Sequence, residues 1–263
     1  MNNIPVIQFT DTHLHGDPDG SLRGVATLPA LRAVLAHAAA DIDAAELILV
    51  TGDIVQDDAD GYRHFRDLFA DFGKPVLCIP GNHDDVAAMR SQLRAAPFQT
   101  DGHIDLGEWR IALLDSTKMA SAGGAVDAAR LDVLARQCTS TDKHVLLCLH
   151  HQPVPMQSRW LDEVGLANAD ALLALAERNP NLRAMLWGHV HQAYDGRLGR
   201  IRLLATPSTC TQFLPHAENF AVDVRPPGYR RLRLCADGSI ETEVVWLQGL
   251  RDSGGAWPSC SVA

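Results

Sequence analysis

Acidic and histidine side chains recur in short motifs along the first 191 residues of this chain. The motifs are Asp11-Thr12-His13, Gly52-Asp53, Gly81-Asn82-His83-Asp84, His150-His151 and Gly188-His189-Val190-His191. Their carboxylate, amide and imidazole groups are oxygen and nitrogen donors, which suit divalent transition metals better than calcium or a thiolate-bound zinc. Taken together and in this order, the motifs predict a two-metal centre that cleaves phosphate esters.

Each motif has a simpler interpretation when it is taken alone. An Asp-x-His triplet is commonly a turn or a helix cap, and a Gly-Asp pair is commonly a turn. The Asn82-His83-Asp84 segment could cap a helix that begins near Val86. These local interpretations do not explain why all the motifs occur in one chain in this order, so the series as a whole favours a metal site.

Most of the motifs directly follow an apolar run that is typical of a buried strand. These runs are Ile4–Phe9, Leu47–Val50, Val76–Ile79 and Val145–Leu149. In an open α/β sheet, ligands bind outside the carboxyl ends of the strands. We therefore expect residues that are far apart in the sequence to meet at one place.

The remaining pattern predicts an α/β fold with two packed mixed sheets and helices on the outer faces. Helical segments are expected at Leu28–Ala40, Tyr62–Phe72, Val86–Leu93, Ala128–Cys138 and Ala169–Glu177. Further strands are expected at Ala184–Trp187, Ala193–Leu198, Ile201–Ala205, Phe220–Val224, Tyr229–Leu234 and Ser239–Trp246. No linker separates the motifs, so we expect one domain over residues 1–250, followed by a loose tail at 251–263.

Composition excludes several classes of protein. The 263 residues carry a formal net charge of −9 and no basic stripe, which argues against nucleic acid as a partner. No apolar run approaches the length of a membrane span, and the N-terminus does not resemble a secretory signal. The six cysteines show no Cys-x-x-Cys pair, which favours reduced thiols and a cytoplasmic protein.

The ordered motifs resemble the signature of the calcineurin-like metallophosphoesterases, whose fold is a four-layer α-β-β-α sandwich. A closer resemblance runs from about residue 4 to 247, to the bacterial class III 3′,5′-cyclic-AMP phosphodiesterases. The segments that carry it, besides the metal motifs, are Trp160-Leu161-Asp162, Leu204-Ala205-Thr206-Pro207-Ser208-Thr209-Cys210 and Pro227-Gly228-Tyr229-Arg230.

This resemblance implies a set of metal ligands. The first metal would take Asp11, His13 and His191, and the second would take Asn82, His150 and His189. Asp53, on a tight turn beside Gly52, is the natural bridging carboxylate. Imidazole and carboxylate donors accept several metals. The resemblance favours iron paired with manganese or with a second iron.

The implied reaction is hydrolysis of 3′,5′-cyclic AMP, a small-molecule substrate, to 5′-AMP by a metal-bridging hydroxide. His83 is the candidate general acid, held as imidazolium by Asp84 or Asp53. Between His150 and His151, His150 is the favoured ligand because it directly ends its strand, and His151 could face the substrate. The predicted substrate-binding residues are His13, Asp53, Asn82, His83, His191, His151, Trp160 and Thr206.

Other functions remain open from the sequence. The same chemistry could serve a broader set of phosphodiesters, such as glycerophosphodiesters or 2′,3′-cyclic nucleotides. A metal-free scaffold is disfavoured because neither a ligand nor His83 is missing. A purple acid phosphatase is also disfavoured, since Ile54-Val55-Gln56-Asp57 follows Asp53 and the next tyrosine is Tyr62.

Overall fold

The computed structural model describes residues 3–247, which form two six-stranded sheets, two small hairpins and a set of short helices. The strands are β1 Ile4–Phe9, β2 Ser21–Leu22, β3 Val25–Ala26, β4 Leu47–Val50, β5 Val76–Cys78, β6 Phe98–Gln99, β7 His103–Leu106, β8 Trp109–Leu113, β9 His144–Cys148, β10 Leu182–Trp187, β11 Tyr194–Leu198, β12 Ile201–Ala205, β13 Gln212–Phe213, β14 Val222–Asp223, β15 Gly228–Leu234 and β16 Ile240–Trp246. The helices are α1 Thr27–His37, α2 Ala39–Ala44, α3 Tyr62–Phe69, α4 Val86–Gln92, α5 Ala128–Thr139, α6 Arg159–Asp162 and α7 Ala169–Arg178, with 3₁₀ turns at Ala59–Gly61 and Ala70–Phe72.

Both large sheets are mixed. The first has the strand order β16-β15-β1-β4-β5-β6, in which β1, β4, β5 and β6 pair in parallel and β15 pairs antiparallel with both β1 and β16. The second has the order β11-β12-β10-β9-β8-β7, with parallel inner strands and antiparallel edges. The parallel strands of each sheet therefore end at the same sheet edge, where ligands are expected.

The hydrophobic core has three layers. One lies between the two sheets, and one lies between each sheet and its helices. In β4, Leu47 and Leu49 pack between the sheets, whereas Ile48 and Val50 face the helices on the other side. Strands that are buried on both faces require apolar residues at successive positions, which explains the continuous apolar runs in the sequence. The predicted α/β arrangement of two packed sheets flanked by helices is confirmed.

The predicted elements differ from the structure in a few places. The predicted helix Leu28–Ala40 is divided at Ala38 into α1 and α2, and only Val222–Asp223 of the predicted strand Phe220–Val224 is extended. The hairpin β7–β8 was not predicted, because Arg110 interrupts its apolar pattern. Arg110 is buried with 7% exposure, and its guanidinium is paired with Asp105 at 2.7 Å.

The C-terminal strands complete the first sheet. β15 pairs with β1 over the register Ile4↔Leu234 to Gln8↔Arg230, so the chain returns to its N-terminal strand. This pairing supports our proposal of one domain over residues 1–250. The predicted tail, residues 251–263, lies outside the described residues. No helix in the described part of the chain is long and apolar enough to cross a membrane.

Candidate metal centre

The predicted ligands meet where the parallel strands of both sheets end. Asp11 follows β1, Asp53 follows β4, His150 follows β9, and His189 and His191 follow β10. Ligand atoms of Asp11, His13 and His191 lie within 4.8 Å of one another, and so do those of Asp11, Asp53 and His150. The two sheets thus contribute to a single buried cluster.

The backbone at this cluster is unusual. Left-handed φ angles occur at Asp11 (54°), His13 (46°), Asp53 (49°), His189 (65°) and His191 (48°). Such angles are costly for residues with a Cβ atom, and they persist only where the surrounding structure holds them. Backbone hydrogen bonds provide this support, from Asp11 N to Gly52 O at 3.0 Å and from His13 N to Asp53 O at 2.9 Å.

Two glycines of the motifs are needed because carboxylates lie against their backbone. A Cβ atom at Gly81 would lie 2.2 Å from Asp53 Oδ1, and one at Gly188 would lie 2.6 Å from Asp11 Oδ2. Both distances are far below van der Waals contact. Glycine at these positions therefore lets the two carboxylates sit directly against neighbouring loops.

Hydrogen bonds to carbonyl groups fix the tautomers of three histidines. Nδ1 of His150 donates to Thr51 O at 2.7 Å, and Nδ1 of His191 donates to Thr211 O at 2.7 Å. His189 is reversed, since its Nε2 donates to Val164 O at 3.1 Å. The other ring nitrogens, Nε2 of His150 and His191 and Nδ1 of His189, are left to face metal ions. This support by carbonyl groups is typical of metal-binding histidines.

The unpaired atoms of these side chains face one another at short distances. Nε2 of His13 lies 3.0 Å from Nε2 of His191, and Nε2 of His191 lies 3.4 Å from Asp11 Oδ1. On the other side, Nε2 of His150 lies 3.3 Å from Asp53 Oδ2 and 3.3 Å from Asn82 Oδ1. Converging nitrogen and oxygen donors of this kind fit two divalent metal ions.

The charge states at the centre also suit metal binding. Burial opposes ionisation of Asp53, but the charge and hydrogen bond of His150 outweigh it and hold the pKa of Asp53 well below its usual range. Burial lowers the pKa of His13 to about 3 and that of His189 well below its usual range. The carboxylate is therefore ionised and the imidazoles of His13 and His189 are neutral, as metal ligands must be. Burial lowers the pKa of His150, but the charge and hydrogen bond of Asp53 outweigh it and raise that pKa to about 9, so a metal ion bound at this ring would displace a proton.

The candidate acid His83 is held by a partner that the sequence did not indicate. Its Nδ1 lies 2.9 Å from Asp57 Oδ2, and its side chain is 33% exposed. The prediction that Asp84 holds this ring is wrong, because Asp84 faces other groups. Asp53 lies near the ring, with its ligand atom within 4.8 Å of that of His83, but its hydrogen bond at 2.9 Å comes from the backbone N–H of His83. Asp57 has a left-handed φ of 52°, which turns its carboxylate toward the imidazole.

Asp84 instead joins the loops that carry the ligands. Its Oδ2 accepts hydrogen bonds from the backbone of Gly81 at 2.9 Å and of Ile54 at 3.1 Å. Its Oδ1 accepts from Val55 N at 3.2 Å and from the hydroxyl of Tyr62 at 2.8 Å. The carboxylate thereby ties the Asp53 loop to the Asn82 loop.

We expect Asp84→Asn to destabilise the protein and weaken metal binding. An amide cannot accept at both positions, so at least one buried N–H donor loses its partner, at a cost of about 1–3 kcal/mol. Asp85→Asn is the matched control, because Asp85 caps α4 by accepting from Ala87 N and Ala88 N, and asparagine caps as well as aspartate. Urea unfolding of both variants measures the difference, and equal stabilities would contradict this role.

The other predicted substrate-binding residues lie in different surroundings. His151 is buried beside His150 and His189, and its Nδ1 lies 2.9 Å from Ser116 Oγ. The structure does not bring Thr206 into the cluster. Its hydroxyl is fully buried and donates a hydrogen bond to Gln8 Oε1. It also accepts a hydrogen bond from Arg230 Nε at 3.0 Å. Since this hydroxyl faces the protein interior, we leave Thr206 out of the substrate site.

Trp160 belongs to an aromatic group that the sequence did not reveal. Its ring packs edge-on against Phe213 at 5.3 Å and against Phe220 at 5.1 Å, measured between ring centroids. Phe213 in turn stacks on the ring of His191, with centroids 4.0 Å apart and planes 5° from parallel. The short hairpin β13–β14 therefore borders the metal centre, although its sequence carries no motif.

Comparison with known proteins identifies the relatives of this chain. The model of the calcineurin-like phosphoesterase family matches residues 4–193. Among curated proteins, a 3′,5′-cyclic adenosine monophosphate phosphodiesterase, CpdA, of Pseudomonas aeruginosa is 38% identical over 92% of this chain and 89% of its own length. The protein of the same name from Escherichia coli K12 is 40% identical over 94% of this chain and 91% of its own length.

Solved structures share the fold at much lower identity. A dimetal phosphatase from Danio rerio superposes with a TM-score of 0.66 at 14% identity, covering 93% of this chain and 99% of that one. A Thermus thermophilus protein, TT1561, superposes with a TM-score of 0.60 at 13% identity, covering 94% and 100%. These matches agree with the sandwich of two sheets described above.

Proposed function

The chain belongs to the calcineurin-like phosphoesterase family, and we propose that it is a dinuclear-metal phosphodiesterase that hydrolyses 3′,5′-cyclic AMP to 5′-AMP. The observation that carries this proposal is the position of Asp53 between two groups of histidines. Its Oδ2 lies 3.8 Å from Nε2 of His13 and 3.3 Å from Nε2 of His150. A carboxylate in this position is suited to bridge two metal ions.

The proposed ligands divide into two sets that share Asp53. One set is Asp11, His13 and His191, and the other is Asn82, His150 and His189. The donors are nitrogen and oxygen atoms, which accommodate iron and manganese, and we propose iron with iron or manganese. Metal ions bound there would lower the pKa of a water molecule and offset the negative charge of the phosphate.

His150, rather than His151, is the proposed ligand. Nε2 of His150 faces both Asp53 and Asn82 at 3.3 Å, while its Nδ1 is committed to Thr51 O. His151 approaches His150 and His189 but bonds to Ser116. We propose that His151 does not bind the metal and instead packs against the proposed ligands His150 and His189.

His83 is the proposed general acid. Because Nδ1 of His83 faces the carboxylate of Asp57, its other nitrogen, Nε2, is left to deliver a proton. The 3′ oxygen that leaves from a cyclic nucleotide is an alkoxide, which needs this proton as its bond to phosphorus breaks. The rings of His83 and His13 lie 5.3 Å apart between centroids, so the acid is next to the proposed ligands.

The proposed substrate rests on the relatives. The curated proteins above match nearly the whole chain, and their names specify 3′,5′-cyclic AMP as the substrate. The alternative is a broader phosphodiesterase that also accepts glycerophosphodiesters or 2′,3′-cyclic nucleotides. The five described cysteines are unpaired, which supports our proposal of a cytoplasmic enzyme.

A panel of substrates tests this proposal. Purified protein loaded with iron or manganese should hydrolyse 3′,5′-cyclic AMP with a higher kcat/KM than 2′,3′-cyclic AMP or glycerophosphocholine. We expect the difference to be at least about tenfold, which corresponds to about 1.4 kcal/mol of transition-state binding. Equal values across the panel would favour the broader phosphodiesterase, and no turnover of any diester would exclude both.

A further inference from the structure

Three distant segments of the chain meet at the rim of the metal centre. They are the β2–β3 hairpin, the short helix α6 with Trp160, and the β13–β14 hairpin. Leu22 and Val25 of the first hairpin pack with Cys210, which precedes the last hairpin. The β13–β14 hairpin is fixed to the centre itself, since Phe213 N bonds to His191 O at 3.3 Å and Thr211 O accepts from His191 Nδ1.

At this rim, a cation lies over an exposed aromatic ring. The Cζ atom of Arg23 lies 4.5 Å from the ring centroid of Phe220, and Phe220 is 39% exposed. Arg23 is itself exposed, at the tip of its hairpin, where Arg23 and Gly24 have left-handed φ angles of 51° and 83°. Among residues 3–247, no carboxylate pairs with Arg23, so Phe220 is the group that orients its guanidinium.

The Arg23–Phe220 pair is connected to the proposed ligand His191 through one edge-on and one stacked ring contact. Phe220 packs against Phe213 at 5.3 Å, and Phe213 lies flat on His191 at 4.0 Å. Trp160 packs edge-on against both Phe213 and Phe220. Two rings, Phe220 and Phe213, therefore separate this flat cationic surface from the proposed metal ligand His191.

We propose that the guanidinium of Arg23, supported by Phe220, is the surface on which the nucleobase of the substrate stacks. An arginine offers a planar face that stacks on aromatic rings, and this face is absent from lysine. Base stacking on side chains is favourable for every base because each has a π face. This inference rests on the proposed phosphodiesterase function and deepens it, since it assigns recognition of the base to residues outside the metal centre.

The competing explanation is that Arg23 attracts the phosphate by its charge. The two explanations predict different kinetics on a base-free ribose 3′,5′-cyclic phosphate, which keeps the diester and lacks the base. They also differ for Arg23→Lys, which keeps the charge and loses the planar face. Leu214→Ala is a matched control, because Leu214 lies on the same hairpin with 43% exposure and is outside the aromatic group.

The test measures steady-state kinetics of the metal-loaded variants on cyclic AMP and on the base-free substrate. We expect Arg23→Ala, Arg23→Lys and Phe220→Ala each to raise KM for cyclic AMP by about 5- to 100-fold, with changes below about twofold on the base-free substrate. Phe220→Tyr should restore the KM for cyclic AMP, and Leu214→Ala should match the wild type. Recovery in Arg23→Lys, equal losses on both substrates, or no loss in Arg23→Ala would overturn the proposal.

A binding measurement separates this inference from the proposed function. Metal-loaded wild-type protein should bind 5′-AMP more tightly than ribose 5-phosphate in calorimetry, and Arg23→Lys should remove that difference. If the wild type does not hydrolyse cyclic AMP but shows this difference, the proposed substrate is wrong and the stacking surface stands. If cyclic AMP is hydrolysed and the two ligands bind equally, the stacking surface is wrong and the substrate stands.

Discussion

Asp53→Asn should remove metal from both positions and reduce hydrolysis of every phosphodiester by about 10³-fold or more. The reason is that Asp53 Oδ2 faces both His13 and His150, so one side chain would serve both proposed sets of ligands. An amide has a single oxygen and no charge, and it cannot replace a carboxylate between two cations. The amide NH₂ would also face these imidazoles as a hydrogen-bond donor.

Elemental analysis of purified protein measures this effect directly. His191→Ala is the informative comparison, because His191 contacts Asp11 and His13 and belongs to only one proposed set. We expect it to lose mainly one ion and Asp53→Asn to lose both, with circular dichroism showing that both variants are folded. Asp53→Asn that retains both ions would refute the bridging assignment.

His83→Ala should leave the metal content unchanged and slow hydrolysis of cyclic AMP by roughly 10²–10⁴-fold, the usual range for a lost general acid. The effect should depend on the leaving group. Bis(p-nitrophenyl) phosphate releases a phenolate that needs no proton, so its hydrolysis should slow much less. Equal losses on the two substrates would mean that His83 positions the phosphate and does not protonate the leaving oxygen.

Asp57→Asn tests the proposed role of His83 as general acid in a second way. Asp57 holds Nδ1 of His83 at 2.9 Å, and the amide would keep that contact without the negative charge. We therefore expect a smaller loss of rate on cyclic AMP than in His83→Ala, and little change of rate on the aryl diester. An unchanged rate on cyclic AMP would show that Asp57 does not act through His83.

Much of the architecture could be predicted because its signals are local. β1, β4 and β12 have the predicted bounds, since strands buried on both faces are mostly apolar, and only Gln8 in β1 and Arg202 in β12 are polar. The positions of Asp11, Asp53 and His150 followed from those strands, because the ends of parallel strands meet at one edge. Gly81 and Gly188 belong to the same local pattern, as the carboxylates beside them exclude a Cβ atom.

Other features depend on contacts between distant parts of the chain. The proposed roles of His150 and His151 differ because of Thr51 O and Ser116 Oγ, which lie in loops distant in the sequence. Thr206 looked available in sequence, but it lies in a buried network with Gln8 and Arg230. A side chain's partners across the fold decide such roles, and residue type or spacing does not report them.

The sequence by itself determined which residue types gather at the strand ends, and hence the family, the two-metal chemistry and the α/β sandwich. Only the tertiary structure decided that Asp57 holds His83 while Asp84 joins two loops, and that Arg23 and Phe220 meet beside the centre. The physical reason is that side-chain direction at these positions is set by left-handed turns and by packing between separate hairpins. Neither leaves a periodic signal in the chain.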